Sequence, residues 1–354
     1  MGNERRMLVV TSGLIILMLG AACAASESAR PATPAVTPAA GAAAVQAAPL
    51  TPLRIVATFS SGELGPMWVA LDTGLFAKHG LAVDDFATMT ASTAYAALLG
   101  NETQVVIGSP STFLPAVAAG ADFVVVATQS NSMAYVLIAQ PSIGSVEELR
   151  GKLYAVARPP GSEAIIGQQY LSVRGIEMGR DYEMRQIGGQ PERVTALQAG
   201  AADFTALSPP ASTRLRREGY AQIANLADAK IAYIGAGLNM RRSYVDLNPD
   251  TVERLVRAYV EGIWRFRTDR ATGLDTLRRH LQLDDPEILE DTYAIQAAIL
   301  EDVPLARPEA ILPAIEVAAE TQPGLREISP TQISEMTYVR RAEASGFIRE
   351  LYGR

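Results

Sequence analysis

Short apolar segments alternate with amphipathic helical segments along residues 53–138. The apolar segments are typical of buried strands, and they lie at residues 54–58, 81–86, 105–107 and 123–127. A helix that begins at Pro66 and two helices that end at Gly100 and Gly120 separate these predicted strands. Strands that alternate with helices through short loops favour an α/β fold with a doubly wound, mainly parallel sheet.

A second series of the same elements covers residues 139–234. Predicted strands lie at residues 153–157, 182–187, 203–207 and 222–226, and Ser162 is predicted to cap a helix between the first two. We therefore expect two lobes: residues 53–138 with 235–354 form lobe one, and residues 139–234 form lobe two. Residues 135–139 and 233–237 would be the two crossings, about which the lobes can hinge.

Residues after Asn239 are predicted to be helical. Asn248 is expected to cap a long helix in which Pro249 takes the first position. Its apolar residues recur at spacings of three and four, which predicts one wide buried face: Val252, Leu255, Val256, Tyr259, Val260 and Ile263. We expect this helical C-terminal part to pack on lobe one.

The most informative loops belong to a strand–helix–strand unit at residues 186–210. Gly188 and Gly189 follow the first strand, and Pro191 opens the helix, where its missing N–H costs nothing. The second strand ends at Ser208, directly before two prolines. Ligands of open α/β sheets bind at the carboxyl ends of strands, because helix N-termini present free N–H groups there.

The N-terminus has the pattern of an export signal. Arg5 and Arg6 precede an apolar stretch, residues 8–20, that is too short to span a membrane. Residues 1–22 are therefore predicted to be a signal peptide. Residues 23–52 are rich in Ala, Pro, Thr and Ser without helical periodicity, which predicts a disordered tether.

Cys23 is the only cysteine and follows small residues, as in a lipobox. This pattern predicts a lipid anchor on Cys23, although Gly20 stands where the pattern prefers Leu. Ala22 and Ala24 also satisfy the A-x-A rule of an ordinary signal peptidase. A mature protein without a lipid anchor is therefore the alternative.

Composition narrows the classes of function. The chain has 31 basic and 38 acidic residues, a net charge of −7, and no basic run, so no nucleic-acid partner is expected. No Cys/His spacing indicates a zinc site, and His79 and His280 are predicted to be surface residues. No nucleophile motif or phosphate-binding loop is present. We predict a monomeric binding protein that is not an enzyme and uses no cofactor or metal.

Several motifs in order resemble those of a known family. Residues 66–83 fit P-x-x-x-A-x-x-x-G-L-F-x-x-x-G-L-x-V, and they are followed by G-S-P-S at residues 108–111, G-K at 151–152, G-G-Q-P-E-R at 188–193 and L-S-P-P at 207–210. This set resembles the solute-binding proteins of ABC importers for sulfonates, taurine, nitrate and thiamine-pyrimidine precursors.

The resemblance implies a two-lobed type II periplasmic-binding-protein fold outside the cytoplasm. The implied partners are a small, anionic solute between the lobes and the permease subunits of the importer. One enzymatic branch, the fungal thiamine-pyrimidine synthases, uses a cysteine-rich iron motif that this sequence lacks. That branch and a tethered ligand-sensing domain are the alternatives, and the solute is left open.

Carboxyl-end loops of both lobes supply the candidate ligand-binding residues. Hydroxyls and helix N-termini suit an oxyanion, and Arg158 is the single cation in such a loop. Trp68 and Tyr135 are predicted to lie in the core. The predicted ligand-binding residues are Ser60, Ser61, Gly62, Ser92, Ser109, Ser111, Arg158, Gly161, Ser162, Gly189, Gln190 and Ser208.

Overall fold

The computed structural model describes residues 49–157, 161–229 and 231–354. The predicted signal peptide, Cys23 and Arg158 lie outside the described residues. The first strand begins at Thr51, so the last two residues of the predicted tether belong to a strand. In the part that the structure describes, no helix is both long and apolar enough to cross a membrane.

Ten strands form the sheets in the described residues. They are β1 (Thr51–Ala57), β2 (Leu81–Thr88), β3 (Val105–Gly108), β4 (Phe123–Thr128), β5 (Val136–Ala139), β6 (Lys152–Val156), β7 (Tyr182–Gln186), β8 (Phe204–Leu207), β9 (Ala221–Asn225) and β10 (Gly237–Arg241).

Fourteen α-helices surround these strands in the described residues. They are α1 (Gly65–Asp72), α2 (Leu75–Lys78), α3 (Ala91–Leu99), α4 (Leu114–Ala118), α5 (Ser162–Ser172), α6 (Gln190–Gln198), α7 (Ala211–Arg217), α8 (Arg242–Leu247), α9 (Pro249–Thr268), α10 (Arg270–Leu281), α11 (Pro286–Ile299), α12 (Pro308–Thr321), α13 (Thr337–Ala344) and α14 (Phe347–Leu351).

Short 3-10 turns join some of these elements. They are Gly62–Leu64, Pro110–Thr112, Glu147–Leu149, Pro323–Glu327 and Pro330–Ile333.

The strands form two five-stranded sheets of similar design. The first has the order β2-β1-β3-β10-β4, and the second has the order β7-β6-β8-β5-β9. The predicted α/β fold with two mainly parallel sheets is confirmed. Each sheet also holds one antiparallel strand that was not predicted: β10 pairs antiparallel with β3 and β4, and β5 pairs antiparallel with β8 and β9.

Two segments join the sheets, and they lie side by side. The first runs through residues 129–135, between β4 and β5, and the second through residues 226–236, between β9 and β10. Backbone N–H groups of Tyr233 and Gly235 donate to the carbonyls of Asn131 and Ser130 at 3.0 and 3.1 Å. Residues 136–139, which the sequence assigned to a crossing, form a strand of the second sheet instead.

The long helix α9 buries the predicted apolar face. Val252, Tyr259 and Ile263 are each at most 1% exposed. The helix approaches α1 so closely that a Cβ at Gly262 would lie 2.5 Å from the carbonyl oxygen of Pro66. Trp68 of α1 is 3% exposed, which confirms its predicted place in the core.

The C-terminal helices also reach the second lobe. Helix α11 packs against α10 and the turn that follows β1, but it also contacts α7 of the second lobe. Asp291 of α11 accepts hydrogen bonds from Thr213 and Arg216 of α7. The C-terminal part was predicted to pack on lobe one, and α11 additionally links the two lobes.

We expect Asp291→Asn to weaken the contact between the lobes. The Arg216 and Asp291 side chains are about one-third exposed (33% and 30%), and a pair of this kind contributes about 0.2–1 kcal/mol. The variant should therefore increase the radius of gyration in small-angle X-ray scattering and leave the helical content unchanged.

Asp275→Asn is the matched control for this variant. Asp275 pairs with Arg278 and Arg279 within α10 alone. An equal expansion in both variants, or none in Asp291→Asn, would show that the contact between α7 and α11 does not hold the lobes together.

Candidate functional site

A cavity of about 300 Å³ lies between the two sheets and beside both crossings. Loops at the carboxyl ends of strands in both lobes contribute to it, as the sequence predicted for this edge of the fold. Its lining residues are Thr58, Phe59, Ser61, Glu63, Ser109, Thr112, Met133, Tyr135, Ala157, Ser162, Glu163, Gly189, Gln190, Arg193, Ser208, Gly235 and Ala236.

Six of the predicted ligand-binding residues line this cavity. Lobe one contributes Ser61 and Ser109, and lobe two contributes the other four. Those four are Ser162, Gly189, Gln190 and Ser208. Residues that lie far apart in the sequence thus meet at one site, and their role toward a ligand stays a prediction.

The remaining predicted residues have other positions. Ser60 lines a neighbouring cavity of about 520 Å³, which shares Ser61 and Gln190 with the first. Gly62, Ser92, Ser111 and Gly161 are not among the lining residues, and Arg158 lies outside the described residues.

Local packing explains two of these positions. Gly62 faces α11, where an added Cβ would lie 2.7 Å from Cγ2 of Thr292. The hydroxyl of Ser92 lies 3.1 Å from that of Thr90, in the first turn of α3.

Reciprocal hydrogen bonds hold the loops of β7 and β8 together. Nε2 of Gln190 donates to Oγ of Ser208 at 2.8 Å, and the backbone N–H of Ser208 donates to Oε1 of Gln190 at 2.9 Å. Gly189 is the N-cap of α6, and Gly188 before it has φ of 142°, a value that favours glycine. The G-G-Q sequence therefore fixes the direction in which α6 points its N-terminus at the cavity.

Helix α5 presents its N-terminus to the same cavity. Its N-cap is Gly161, not Ser162 as predicted, because Ser162 is already the first helical residue. The Ser162 hydroxyl instead lies 2.9 Å from the hydroxyl of Tyr135, at hydrogen-bonding distance. The prediction that Tyr135 belongs to the core is wrong, since its ring lines the cavity from the first crossing.

A buried ion pair forms the lobe-two wall. Nη1 of Arg193 lies 3.1 Å from Oε1 of Glu163, and the two side chains are 3% and 7% exposed. The same oxygen accepts the N–H of Ala157 at 2.8 Å. Among the described residues, Nε and Nη1 of Arg193 have no well-aligned acceptor, so that the close pair is not a well-formed hydrogen bond. Both nitrogens are buried, so they belong to the wall and do not extend into the cavity.

Glu63 forms the lobe-one side of the cavity. Its backbone N–H donates to Oγ of Ser61 at 3.3 Å, and its Oε1 accepts the N–H of Ala236 at 2.9 Å. Burial raises the pKa of Glu63 to about 7, and the Ala236 N–H opposes that rise. The carboxyl group is therefore poised to gain or lose a proton near neutral pH.

Both histidines lie away from the cavity; His280 is exposed at the surface as predicted, whereas His79 is partly buried. His79 lies 2.9 Å from Glu261, and its side chain is 13% exposed. His280 stacks on Trp68 with ring centroids 4.6 Å apart and contacts Asp72 at 3.0 Å. Within the described ranges, no group of three or more acidic, Cys or His side chains could hold a metal ion.

With this geometry established, comparison with known proteins identifies the family. The model of the family described as NMT1/THI5 like matches residues 62–268, more than half of the chain. The chain belongs to the NMT1/THI5-like family. The matched residues of this NMT1/THI5-like chain include every lining residue except Thr58, Phe59 and Ser61.

Solved structures show that this family member has the periplasmic-binding-protein fold. It is similar to a putative sulfonate ABC transporter protein, the periplasmic sulfonate-binding protein SsuA from Methylobacillus flagellatus KT, with 17% identity and a TM-score of 0.68 over 84% of this chain and 96% of that one. It is also similar to the periplasmic aliphatic sulphonate binding protein SsuA from Escherichia coli, with 18% identity and a TM-score of 0.64 over 80% and 91% of the two chains. The resemblance inferred from the motifs is confirmed for family and fold.

An enzyme shares this fold as well. The structure of the desulfurization enzyme DSZB has 13% identity and a TM-score of 0.60 over 83% of this NMT1/THI5-like chain and 99% of the enzyme. Comparison with curated proteins finds no match. The fold alone therefore does not separate binding from catalysis.

The sequence analysis missed the charged residues of the cavity. Arg193 belongs to the G-G-Q-P-E-R motif, and Glu63 follows Ser61 and Gly62 in a loop already chosen. Glu163 follows Ser162 in the same way. The available signal was a charged residue one to three positions beyond the last predicted residue of three loops, where the first turn of a helix still faces the loop.

We expect Glu63→Gln to change the pH dependence of stability. The pKa of Glu63 is raised from 4.5 to about 7 in the folded protein. The stability associated with protonated Glu63 is therefore complete below the unfolded value and is lost as pH rises through about 7. Glutamine cannot ionise, so wild type should lose unfolding free energy relative to Glu63→Gln across this interval in urea titrations.

Glu102→Gln is the control, because it removes the same charge from an exposed position of lobe one. A pH-dependent difference of the same size in this variant would contradict burial as the cause.

Proposed function

We propose that this protein is an extracytoplasmic receptor that delivers a small, anionic solute to an ABC importer. The observation that carries the proposal is the cavity between two sheets, which two crossings join in the part of the chain that the structure describes. Ligand contacts to both lobes would favour a closed form over an open one. The permease subunits of the importer would recognise that closed form.

The proposed lobes follow the predicted boundaries except at β5, which belongs to the second sheet. Residues 53–135 and 235–354 would move as lobe one, and residues 136–234 as lobe two. The signal peptide at residues 1–22 would direct export, and a lipid on Cys23 would anchor the mature protein. Residues 23–52 would then tether the lobes to the membrane surface.

The acidic end of the solute would bind to the lobe-two side. The N-termini of α5 and α6 reach the cavity there, and each carries the positive end of a helix dipole. The hydroxyls of Ser162 and Ser208 are the further donors, and the guanidinium of Arg193 belongs to the same wall. Arg158 is proposed as an additional cation for the same group. The sulfonate-binding neighbours support a sulfonate, and taurine and nitrate belong to the same proposal.

An enzyme of the desulfurization type is the second candidate, since its fold is similar. The residues described around the cavity include neither Cys nor His, and the only cysteine of the chain, Cys23, precedes the predicted tether. We therefore favour binding without turnover. Incubation of a bound solute with the protein, followed by mass spectrometry, would reveal a product if the enzyme proposal is right.

A thermal-shift panel tests the receptor proposal. The exported chain with Cys23→Ser, which cannot be lipidated, would be mixed with alkyl and aryl sulfonates, taurine, nitrate, bicarbonate, aromatic carboxylates and pyrimidines. A ligand at about 100 times its dissociation constant adds about 2.7 kcal/mol to the unfolding free energy, which raises Tm measurably. If the compounds of one chemical class raise the Tm of the protein, the result supports the receptor function and identifies the solute class. If no compound raises Tm, the result contradicts the proposed solute classes.

We expect the double variant Ser162→Ala and Ser208→Ala to bind the solute more weakly. Two hydrogen bonds of about 0.5–1.5 kcal/mol each would be lost, so affinity should fall by roughly fivefold to a hundredfold in calorimetry. The pair Ser92→Ala and Ser142→Ala, one serine from each lobe, is the matched control, because both serines are exposed and neither is among the lining residues. Reduced stability with unchanged affinity would assign Ser162 and Ser208 a structural role only.

A further inference from the structure

The backbone on both sides holds the Glu63 side chain in place at the cavity. Its N–H donates to Ser61, and its carbonyl accepts Nε2 of Gln129 at 2.8 Å. Oε1 accepts the N–H of Ala236 in the second crossing at 2.9 Å. The side chain therefore enters the cavity from a fixed backbone, at the junction of lobe one with both crossings.

One oxygen of this carboxylate has no partner. Among the described residues, Ala236 is the only hydrogen-bond donor to the Glu63 carboxylate, and it contacts Oε1 alone. The ion pairs found in that part of the chain include none with Glu63, whereas the other lining carboxylate, Glu163, has Arg193. A partly buried carboxylate without a cation is unfavourable, and its burial accordingly raises its pKa to about 7.

A structural role alone does not require an acid at this position. The bond from Ala236 N–H needs one acceptor oxygen, which the amide of glutamine would supply as well. The negative charge strengthens that bond, but by less than its desolvation costs, because the net pKa is raised to about 7. A positively charged group of a bound solute would balance the negative charge of Glu63.

The charge balance of the cavity points to the nature of that group. The described lining residues contain two carboxylates, Glu63 and Glu163, and one guanidinium, Arg193. Burial first, and then the charges of Glu163 and Glu63, raise the pKa of Tyr135, which lines the cavity with both. The electrostatic potential on the Glu63 side is therefore negative, which repels a simple anion and attracts a cation.

We propose that Glu63 is a specificity-determining residue, whose free carboxylate oxygen binds a positively charged nitrogen of the solute. This inference rests on the proposed receptor function and refines its solute class. The solute would be a zwitterion with its acidic group toward α5, α6 and Arg193 and its ammonium group toward Glu63. A cavity of about 300 Å³ limits it to a small molecule.

Other titratable groups near Glu63 do not supply this charge. Tyr259 of α9 and Tyr135 of the first crossing have raised pKa values, chiefly through burial, so both stay neutral near pH 7. Glu163 lies in the lobe-two wall, where it is paired with Arg193. Gln129, which contacts Glu63 from the first crossing, is uncharged. Glu63 is therefore the described group whose charge changes near neutral pH on this side of the cavity.

Matched solutes test the proposal. Taurine and isethionate share an ethanesulfonate and differ by an ammonium in place of a hydroxyl, and β-alanine and 3-hydroxypropionate form the same pair on a carboxylate. Calorimetry with the exported Cys23→Ser chain at about pH 8 should favour the ammonium member of a pair by roughly tenfold or more, the range of a charge-assisted hydrogen bond. The preference should shrink toward about pH 5, where Glu63 takes up a proton.

Glu63→Gln keeps the acceptor for Ala236 and removes the charge. It should abolish the preference at every pH while the hydroxyl member binds as well as before or better. Glu63→Asp keeps the charge on a shorter side chain and should retain part of the preference, which guards against a folding defect in the first variant. Glu102→Gln, which removes a charge from the exposed surface of the same lobe, should behave as wild type.

The possible results test the receptor function and the role of Glu63 separately. A preference that survives Glu63→Gln, or tighter binding of the hydroxyl members by wild type, would overturn the role of Glu63. If no ammonium solute binds but an anion or pyrimidine of the thermal-shift panel does, the receptor function stands and the zwitterion proposal fails. If nothing in either set binds, the proposed function and this inference fail together.

Discussion

The antiparallel strands that follow the two crossings determine how the rest of this protein is built. Strand β10 lies between β3 and β4, so β4 joins the other parallel strands of the first sheet only through a strand that comes after the whole second lobe. Strand β5 takes the equivalent place between β8 and β9 in the second sheet. Because an unpaired backbone group in a buried sheet is costly, neither sheet is complete until the chain has crossed between the lobes.

This arrangement also places the cavity. The crossings run side by side through hydrogen bonds between residues 130–131 and 233–235, and Tyr135, Gly235 and Ala236 line the cavity from them. A ligand here touches both lobes and the segments about which they would move. Its binding energy can therefore change the angle between the lobes, which is what a receptor for a transporter needs. The contact between α7 and α11 adds a weaker link outside the cavity.

The two sides of the cavity differ in electrostatics. On the lobe-two side, two helix N-termini and the hydroxyls of Ser162 and Ser208 present donors. On the lobe-one side, the Glu63 carboxylate presents an acceptor with no described counter-ion. This polarity favours a solute with an acidic group at one end and a basic group at the other, and it disfavours binding in the reverse orientation. Family membership and fold are established by comparison, whereas this polarity belongs to the side chains of this chain.

The sequence by itself determined the local elements, because strands and helices follow from apolar periodicity, glycine stops and prolines at first helical positions. The two mainly parallel sheets and the buried face of α9 were predicted from these patterns. Six residues that line the cavity were also predicted, since loops after parallel strands meet at one edge of a sheet. Tertiary structure decided the antiparallel insertion of β5 and β10, the exposure of Tyr135 to the cavity and the link from α11 to α7. Pairing partners distant in sequence fix these features, and no local pattern encodes them. The charges of Glu63, Glu163 and Arg193 were visible in the sequence, but only the folded chain shows that one carboxylate is neutralised and the other is not.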